Sequence, residues 1–373
     1  MLKKILLLNM IIIVFLLTSC QKQEETITIG FAGTLTGTYA SVGTMELYAV
    51  QMAIAEINES GGINGRQIEL IIKDDQADPE KAVEVGNDLI NQGVHFIIGH
   101  TLSIVAVEVM DNAEGKDVLF LSPSIGTDSL SNIDDNLIRN VSTTLYEGLD
   151  MTEKIVEASF SKVLLVYNLD NYILTQHHKD SFEAVLSNAG YTDDDYDMIG
   201  YYRDNANDSQ LILDALDTGD YDTVMLVGSN TTIAPFVNYI IANDYPIDMH
   251  LSSWASTGLI PLIDTSNTSG IYAYFDYYEN MDDPNFELFH DTFFDLYGVE
   301  VDMVATNAYD LVYMLKEAIE YADSFDTELV KQAILEIGTF EGISAPYTIN
   351  EYGDCLKEHL QMIIKDGEYV LND

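Results

Sequence analysis

The chain is poor in cysteine, in basic residues and in tryptophan, and each shortage excludes something. Its 373 residues hold two cysteines, Cys20 and Cys355. If Cys20 is modified, no intramolecular disulfide is left, and Cys355 reads as a packed small residue. Lys and Arg total 16 against 62 Asp and Glu, a formal charge of −46. A surface of that sign repels nucleic acid and anionic lipid, whose recognition needs basic patches. It also repels itself. It therefore reads either as adaptation to a saline habitat or as the acidic surface of a secreted protein.

Signatures of catalysis and of metal binding are missing as well. The seven histidines show no H-E-x-x-H and no Cys/His ligand spacing. His177 and His178 are adjacent, and neighbours on a helix point about 100° apart. There is no G-x-S-x-G elbow. Gly33-Thr34-Leu35-Thr36-Gly37 and Gly43 match neither nucleotide-loop pattern and read as a tight turn. Asp74-Asp75, at a strand end, reads as turn and capping groups rather than as paired catalytic carboxylates. An enzyme is not expected, nor is a cofactor or a metal.

What is present begins at the N-terminus. Lys3 and Lys4 precede an apolar run, Ile5 to Leu17, broken only by Asn9. That run of about 13 residues is too short to span a bilayer, which needs roughly 20. Small residues follow it, as at an export-signal cleavage site. Leu17-Thr18-Ser19-Cys20 resembles the lipobox of bacterial lipoproteins, which makes Cys20 the expected lipidation site. Residues 1–19 are then a signal peptide and 20–25 a solvated tether. No other segment is long and apolar enough to cross a membrane. The expected location is extracytoplasmic, lipid-anchored to the cell membrane.

About 350 remaining residues exceed one ordinary core, so two lobes are expected. Strand and helix signals alternate. Thr26–Phe31, Ile68–Lys73, His95–Ile98 and Val118–Leu121 read as strands. Between them, Met45–Ile57, a helix from Pro79 capped by Asp78, and Ile104–Asn112 read as helices. The pattern restarts after residue 150. There Lys162–Tyr167, Met198–Tyr202, Thr223–Val227, Met249–Ser252 and Gly270–Tyr274 read as strands. Thr175–Asn188, Ser209–Leu216 and Thr232–Asn243 read as the helices between them. Helices at Asn285–Tyr297, Met303–Ala322 and Thr327–Ile337 and strands at Tyr347–Asn350 and His359–Ile364 complete the reading. One α/β pattern twice over implies two doubly wound lobes, with ligand at the strand C-termini.

Two stretches sit just past predicted strands: Gly99-His100-Thr101-Leu102-Ser103 and Ser122-Pro123-Ser124-Ile125-Gly126-Thr127. Both bring hydroxyls and backbone N–H groups to a strand end, and Ser103 precedes a helix. A helix N-terminus with a hydroxyl can hold a carboxylate or can simply be capped. Two such loops on one sheet edge favour binding.

Residues 28–131 carry a resemblance in register: Gly33, Gly37, Gly43, Met45, Ile54-Ala55-Glu56-Ile57-Asn58, Gly61-Gly62-Ile63-Asn64-Gly65, Asp74-Asp75 with Asp78-Pro79, Ile98-Gly99-His100 and Ser122-Pro123. They resemble the leucine/isoleucine/valine-binding group of ABC-transporter substrate-binding proteins. The resemblance continues more weakly to about residue 365, with Gly270 and Asn307-Ala308-Tyr309-Asp310. It implies a type I periplasmic-binding fold: two α/β lobes joined by three hinge crossings, expected near residues 145, 275 and 347. Lobe 1 is then 26–145 plus 275–347, and lobe 2 is 146–274 plus 348–373. The implied partners are a small-molecule ligand, an amino acid or related carboxylate, and an ABC permease in the membrane. A monomer is expected.

The resemblance also implies site residues. Ser103 sits where a serine binds the ligand carboxylate. Ser124 falls where a backbone carbonyl takes the ammonium. Gly126 stands where a threonine is usual, with Thr127 beside it. Tyr172 matches an aromatic cap from the second lobe, Val42 replaces a first-lobe aromatic, and Asn230 joins the expected set. Trp254 stands where an acid usually pairs the ammonium. Either another acid serves, Asp276 or Asp170, or Trp254 offers a cation–π contact. Otherwise the ligand is an amide or aromatic acid without an α-amino group. The positions of the group's first-lobe disulfide are Ala77 and Leu102 here. An extracytoplasmic sensor on the same fold, feeding a membrane receptor, is the alternative to an importer component.

Overall fold

The structure, a computed structural model, describes residues 26–275, 283–357 and 359–372. The expected signal peptide, the tether with Cys20, and Asp276 lie outside the described residues. The chain opens with β1 (Ile27–Gly33), α1 (Ala40–Glu59), β2 (Ile68–Asp74), α2 (Pro79–Asn91), β3 (Phe96–Gly99), α3 (Ser103–Ala113), β4 (Leu119–Ser122) and β5 (Leu137–Arg139). The five strands make one parallel sheet in the order β2-β1-β3-β4-β5. β3 and β4 are buried along their whole length. That suits short, continuously apolar strands covered by helices on both faces. Asp78 caps α2 as expected, accepting from the Lys81 N–H at 2.8 Å with Pro79 in the first turn.

The second lobe follows: α4 (Thr144–Glu157), β6 (Val163–Asn168), α5 (Tyr172–Asn188), β7 (Tyr196–Tyr201), α6 (Ala206–Thr218), β8 (Thr223–Val227), α7 (Asn230–Ala242), β9 (Asp248–Leu251), the short α8 (Ser253–Ser256) and β10 (Ile271–Phe275). Their order, β7-β6-β8-β9-β10, repeats that of the first sheet, so the recurrence read in the sequence is a repeat of topology. In both sheets the strand order reverses beside the first strand, and the crevice outside the strand C-termini opens there.

The chain then returns to lobe 1 as α9 (Pro284–Tyr297), α10 (Met303–Ala322) and α11 (Thr327–Ile337). α10 packs along α1, and its buried face joins Ile29, Phe31 and Ile98 in one core. β11 (Thr339–Phe340), β12 (Tyr347–Ile349) and β13 (Cys355–Leu356) form a small antiparallel sheet. Cys355 and Ile349 are buried in the same lobe 1 core. Last come β14 (Leu360–Lys365) and β15 (Glu368–Leu371), which add antiparallel strands to the second sheet beyond β10.

The third crossing differs from its expected place. Residues 348–356 were expected in lobe 2, but they stay on lobe 1, and the chain crosses only between Leu356 and Leu360. The physical reason is a buried arginine. Arg139 donates its backbone N–H to Gly353 O at 3.0 Å, and its guanidinium lies 2.7 Å from Asp354 Oδ1. The same guanidinium donates to the carbonyls of Ile125 and Thr127 at 3.1 and 2.6 Å. One buried charge, paired and fully hydrogen-bonded, thus fixes both the 348–356 segment and the loop after β4.

Candidate functional site

The strand ends of both sheets open on one cleft of about 970 Å³. That is at the upper end of the roughly 300–1,000 Å³ usual for small-molecule sites, more than a single amino acid fills. From lobe 1 come the turn after β1, the start of α1, and the loops after β3 and β4. From lobe 2 come the starts of α4, α5, α7 and α8.

Of the expected site residues, Val42, Ser103, Ser124, Gly126, Asn230 and Trp254 line this cleft together. Ser103 is the first residue of α3 and is 1% exposed. Its Oγ makes no hydrogen bond within the protein. No side chain caps α3; of its first-turn N–H groups, that of Val105 reaches Leu102 O at 3.2 Å. A buried hydroxyl without a partner is unusual, and here it faces a cleft. Gly126 lies against lobe 2: a Cβ there would meet Ser142 O at 3.3 Å and the Thr144 methyl at 3.4 Å. That closeness accounts for glycine where a threonine was the norm.

Three expectations are corrected by geometry. Thr127 does not line the cleft. Its hydroxyl donates to Ile173 O at 2.9 Å and accepts from the Ser129 N–H, tying the loop to α5. Tyr172 is half exposed and lies outside the lining; Asn171 beside it lines the cleft instead. Asp170 does not line the cleft either, because it accepts from Asn168 Nδ2 and the Arg203 N–H.

Several lining residues carried no expectation. Tyr39 meets Trp254 across the cleft, ring centroids 6.0 Å apart. Thr144 and Asn171 each present a buried oxygen without a partner, and so does Thr143, the residue before α4. Glu147, in the first turns of α4, is buried and takes His178 Nε2 at 2.7 Å and the Ser253 N–H. Burial alone would raise its carboxyl. The hydrogen bond and charge of His178, then His359 and the Ser253 N–H, pull it down to about 2. The S/T-x-x-E spacing of Thr144 and Glu147 is no capping box, because Thr144 lies inside the helix, Thr143 is the N-cap and no side chain caps it. On lobe 1, Glu46 is also fully buried, among the hydroxyls of Thr101 and Ser124. Its signal was a charged residue on the apolar stripe of Val42, Ala49, Val50 and Ala53.

The arrangement offers neutral donors and the N-terminus of α3 to an anionic group, an acid–imidazole pair on the opposite wall, and an aromatic pair at the mouth. The periplasmic binding protein family profile matches residues 26–355. The chain belongs to that family. The leucine-, isoleucine-, valine-, threonine-, and alanine-binding protein of Pseudomonas aeruginosa is 43% identical over 100 residues, 27% of each chain. The Leu/Ile/Val-binding protein of Escherichia coli K12 is 33% identical over 100 residues, again 27% of each. The chain thus spans about a quarter of the length of these curated relatives.

Solved structures match this binding protein along nearly its whole length. The branched-chain amino acid transporter substrate binding protein LivJ of Streptococcus pneumoniae, in complex with isoleucine, superposes with a TM-score of 0.81 at 22% identity. It covers 92% of this chain and 98% of its own. A solute binding protein from R. palustris in complex with benzoate gives a TM-score of 0.80 at 18% identity, covering 93% and 95%. These likenesses establish the type I fold that the resemblance implied.

Proposed function

We propose that the chain is an extracytoplasmic, lipid-anchored solute-binding protein of an ABC importer, closing its two lobes on an amino acid or similar small carboxylate. The observation that carries this is Ser103: a buried, unpartnered hydroxyl at an uncapped helix N-terminus, facing the cleft. In this reading the carboxylate meets Ser103 and the α3 N–H groups. Glu147 on lobe 2, rather than Asp170, is the acid available to an ammonium. Lobe closure shifts a population between open and closed forms.

A second reading is favoured by the Tyr39–Trp254 pair. Two aromatic rings tilted 41° against each other at the mouth offer an apolar edge to a flat solute, such as an aromatic acid or amide without an α-amino group. The benzoate-bound neighbour of the same fold is in keeping with it. A sensor role feeding a membrane receptor would use the same cleft and differ only in its membrane partner.

Calorimetry against leucine, phenylalanine, their deaminated analogues and benzoate tests both readings. Tight leucine binding that is abolished by deamination supports the amino acid. Equal or tighter binding of benzoate supports the aromatic acid. Binding of none of the carboxylates contradicts the proposal. Lipidation is tested by mass spectrometry of the mature N-terminus, where an unmodified cleavage product contradicts the anchor at Cys20.

A further inference from the structure

Glu46 lies in the second turn of α1, on the floor of lobe 1, and is 0% exposed. Its neighbours fix where the protons are. Thr101 Oγ1 accepts from the Thr34 N–H at 3.1 Å and donates its one proton to Glu46 Oε2 at 2.7 Å. Ser124 Oγ lies 2.7 Å from Thr101 O. Ser124 Oγ has one proton and two acceptors in reach, Thr101 O, which can only accept, and Glu46 Oε1; the pairing that satisfies all three atoms gives the Ser124 proton to Thr101 O. The contact between Ser124 Oγ and Glu46 Oε1 then holds a proton only if Glu46 supplies it.

We propose that Glu46 is a neutral carboxylic acid, a positioning residue whose O–H donates to Ser124 Oγ and which keeps the patch of cleft wall around Ser103 and Ser124 uncharged. The consequence for binding rests on the carboxylate reading given above. A neutral Glu46 lets an anionic solute approach Ser103 and Ser124, and an ionised one sets a negative charge one hydroxyl behind them.

The surroundings agree. Burial pushes this carboxyl up to about 8, and the hydrogen bonds from Ser124 and Thr101 oppose it only in part. Asp75, from the loop after β2, and Asp302, at the start of α10, push the same way. Asp75 is itself paired with His100, from the loop after β3, at 2.7 Å, both fully buried. Asp302 caps α10 through the Ala305 N–H. On the cleft rim, His290 of α9 is paired with Glu300 at 2.9 Å. Asp74 turns the other way, to the Leu35 N–H and the Thr36 hydroxyl.

The test needs no ligand for its first part. A native carboxyl that holds its proton longer than the unfolded chain makes stability fall as pH rises from about 5 to about 9. Glu46→Gln supplies an amide donor to Ser124 and an acceptor to Thr101, and it cannot ionise. Urea midpoints of the wild type should therefore fall more steeply over that range than those of Glu46→Gln, the two curves diverging from about pH 5 and running parallel again above about pH 9. Glu46→Ala, which restores neither hydrogen bond, should lie below Glu46→Gln throughout. Parallel pH profiles for wild type and Glu46→Gln would overturn the assignment.

In the second part, leucine and benzoate are the probes. Wild-type affinity for whichever binds should drop about tenfold between about pH 7 and 9.5, while Glu46→Gln keeps a flatter profile. The same drop in both proteins overturns the coupling to the cleft. If the stability curves separate and neither probe binds, the neutral acid stands and the carboxylate reading of the cleft fails.

Discussion

Two buried glutamates, Glu147 on the cleft wall of lobe 2 and Glu46 one hydroxyl behind the wall of lobe 1, end in opposite charge states. Glu46 on lobe 1 has hydroxyls and further acids around it, and burial pushes it up to about 8. Glu147 on lobe 2 is just as deeply placed, yet His178, His359 and the Ser253 N–H bring it down to about 2. Burial acts in the same direction on both, so depth does not decide the charge of a carboxyl. A basic group sharing the site does. The cleft is thereby polarised. The part of its first wall around Ser103 and Ser124 is uncharged and donor-rich, and its second wall carries an acid–imidazole pair. A solute with a carboxylate at one end and a donor or cation at the other suits the two walls.

The largest way to break this comparison is to remove the histidine. His178→Ala leaves Glu147 buried without its main partner, and such losses cost about 3–5 kcal/mol. Urea unfolding at pH 7 checks this, and a loss below about 1 kcal/mol would show that the pair does not hold the second wall. The next effect sharpens the contrast through acid. The pKa of Glu147 lies below that of an unfolded glutamate, so its contribution is complete above about pH 4.5. It is lost as pH falls toward 2. The stability gap between wild type and Glu147→Gln should close on acidification over that window, whereas the gap between wild type and Glu46→Gln should change as pH rises from about 5 to about 9. The smallest effect is common to both lobes. With a formal charge of −46, the melting temperature should rise from low to molar sodium chloride, as the screening length shrinks from about 30 Å at 0.01 M to about 3 Å at 1 M. A flat or falling curve contradicts a stability limited by self-repulsion.

Much of the fold was legible because its elements carry local signals. Thr223–Val227, Met303–Ala322 and Thr327–Ile337 have the bounds that β-branched runs, caps and apolar periodicity indicate. Asp302 and Asp326 cap the two helices through their side chains. What escaped was short or set by distant contacts. β5, three residues long, is held by a sheet neighbour and by Arg139. β11 and β13 have two residues each and exist only as partners of β12. Helix α4 was missed because its first turn, Thr144 to Glu147, mixes buried polar residues with an exposed Tyr146.

The site was legible where one loop supplies it, as at Ser103 and Ser124. It was not where two distant groups share a proton or a charge. The Glu46–Ser124 contact spans 78 positions and the Glu147–Ser253 contact 106. Thr127 and Tyr172 show the converse: a residue type suited to binding can be committed to packing or left at the surface.

Ser103→Ala is the most direct test of the claim that this cleft holds a carboxylate on its neutral wall. Its affinity should be measured by calorimetry at pH 7 for whichever of leucine, phenylalanine or benzoate the wild type binds. A hydrogen bond to a charged group contributes roughly 1.5–3 kcal/mol, so the account predicts binding weaker by about tenfold or more, with the fold intact by circular dichroism. An unchanged dissociation constant would contradict it.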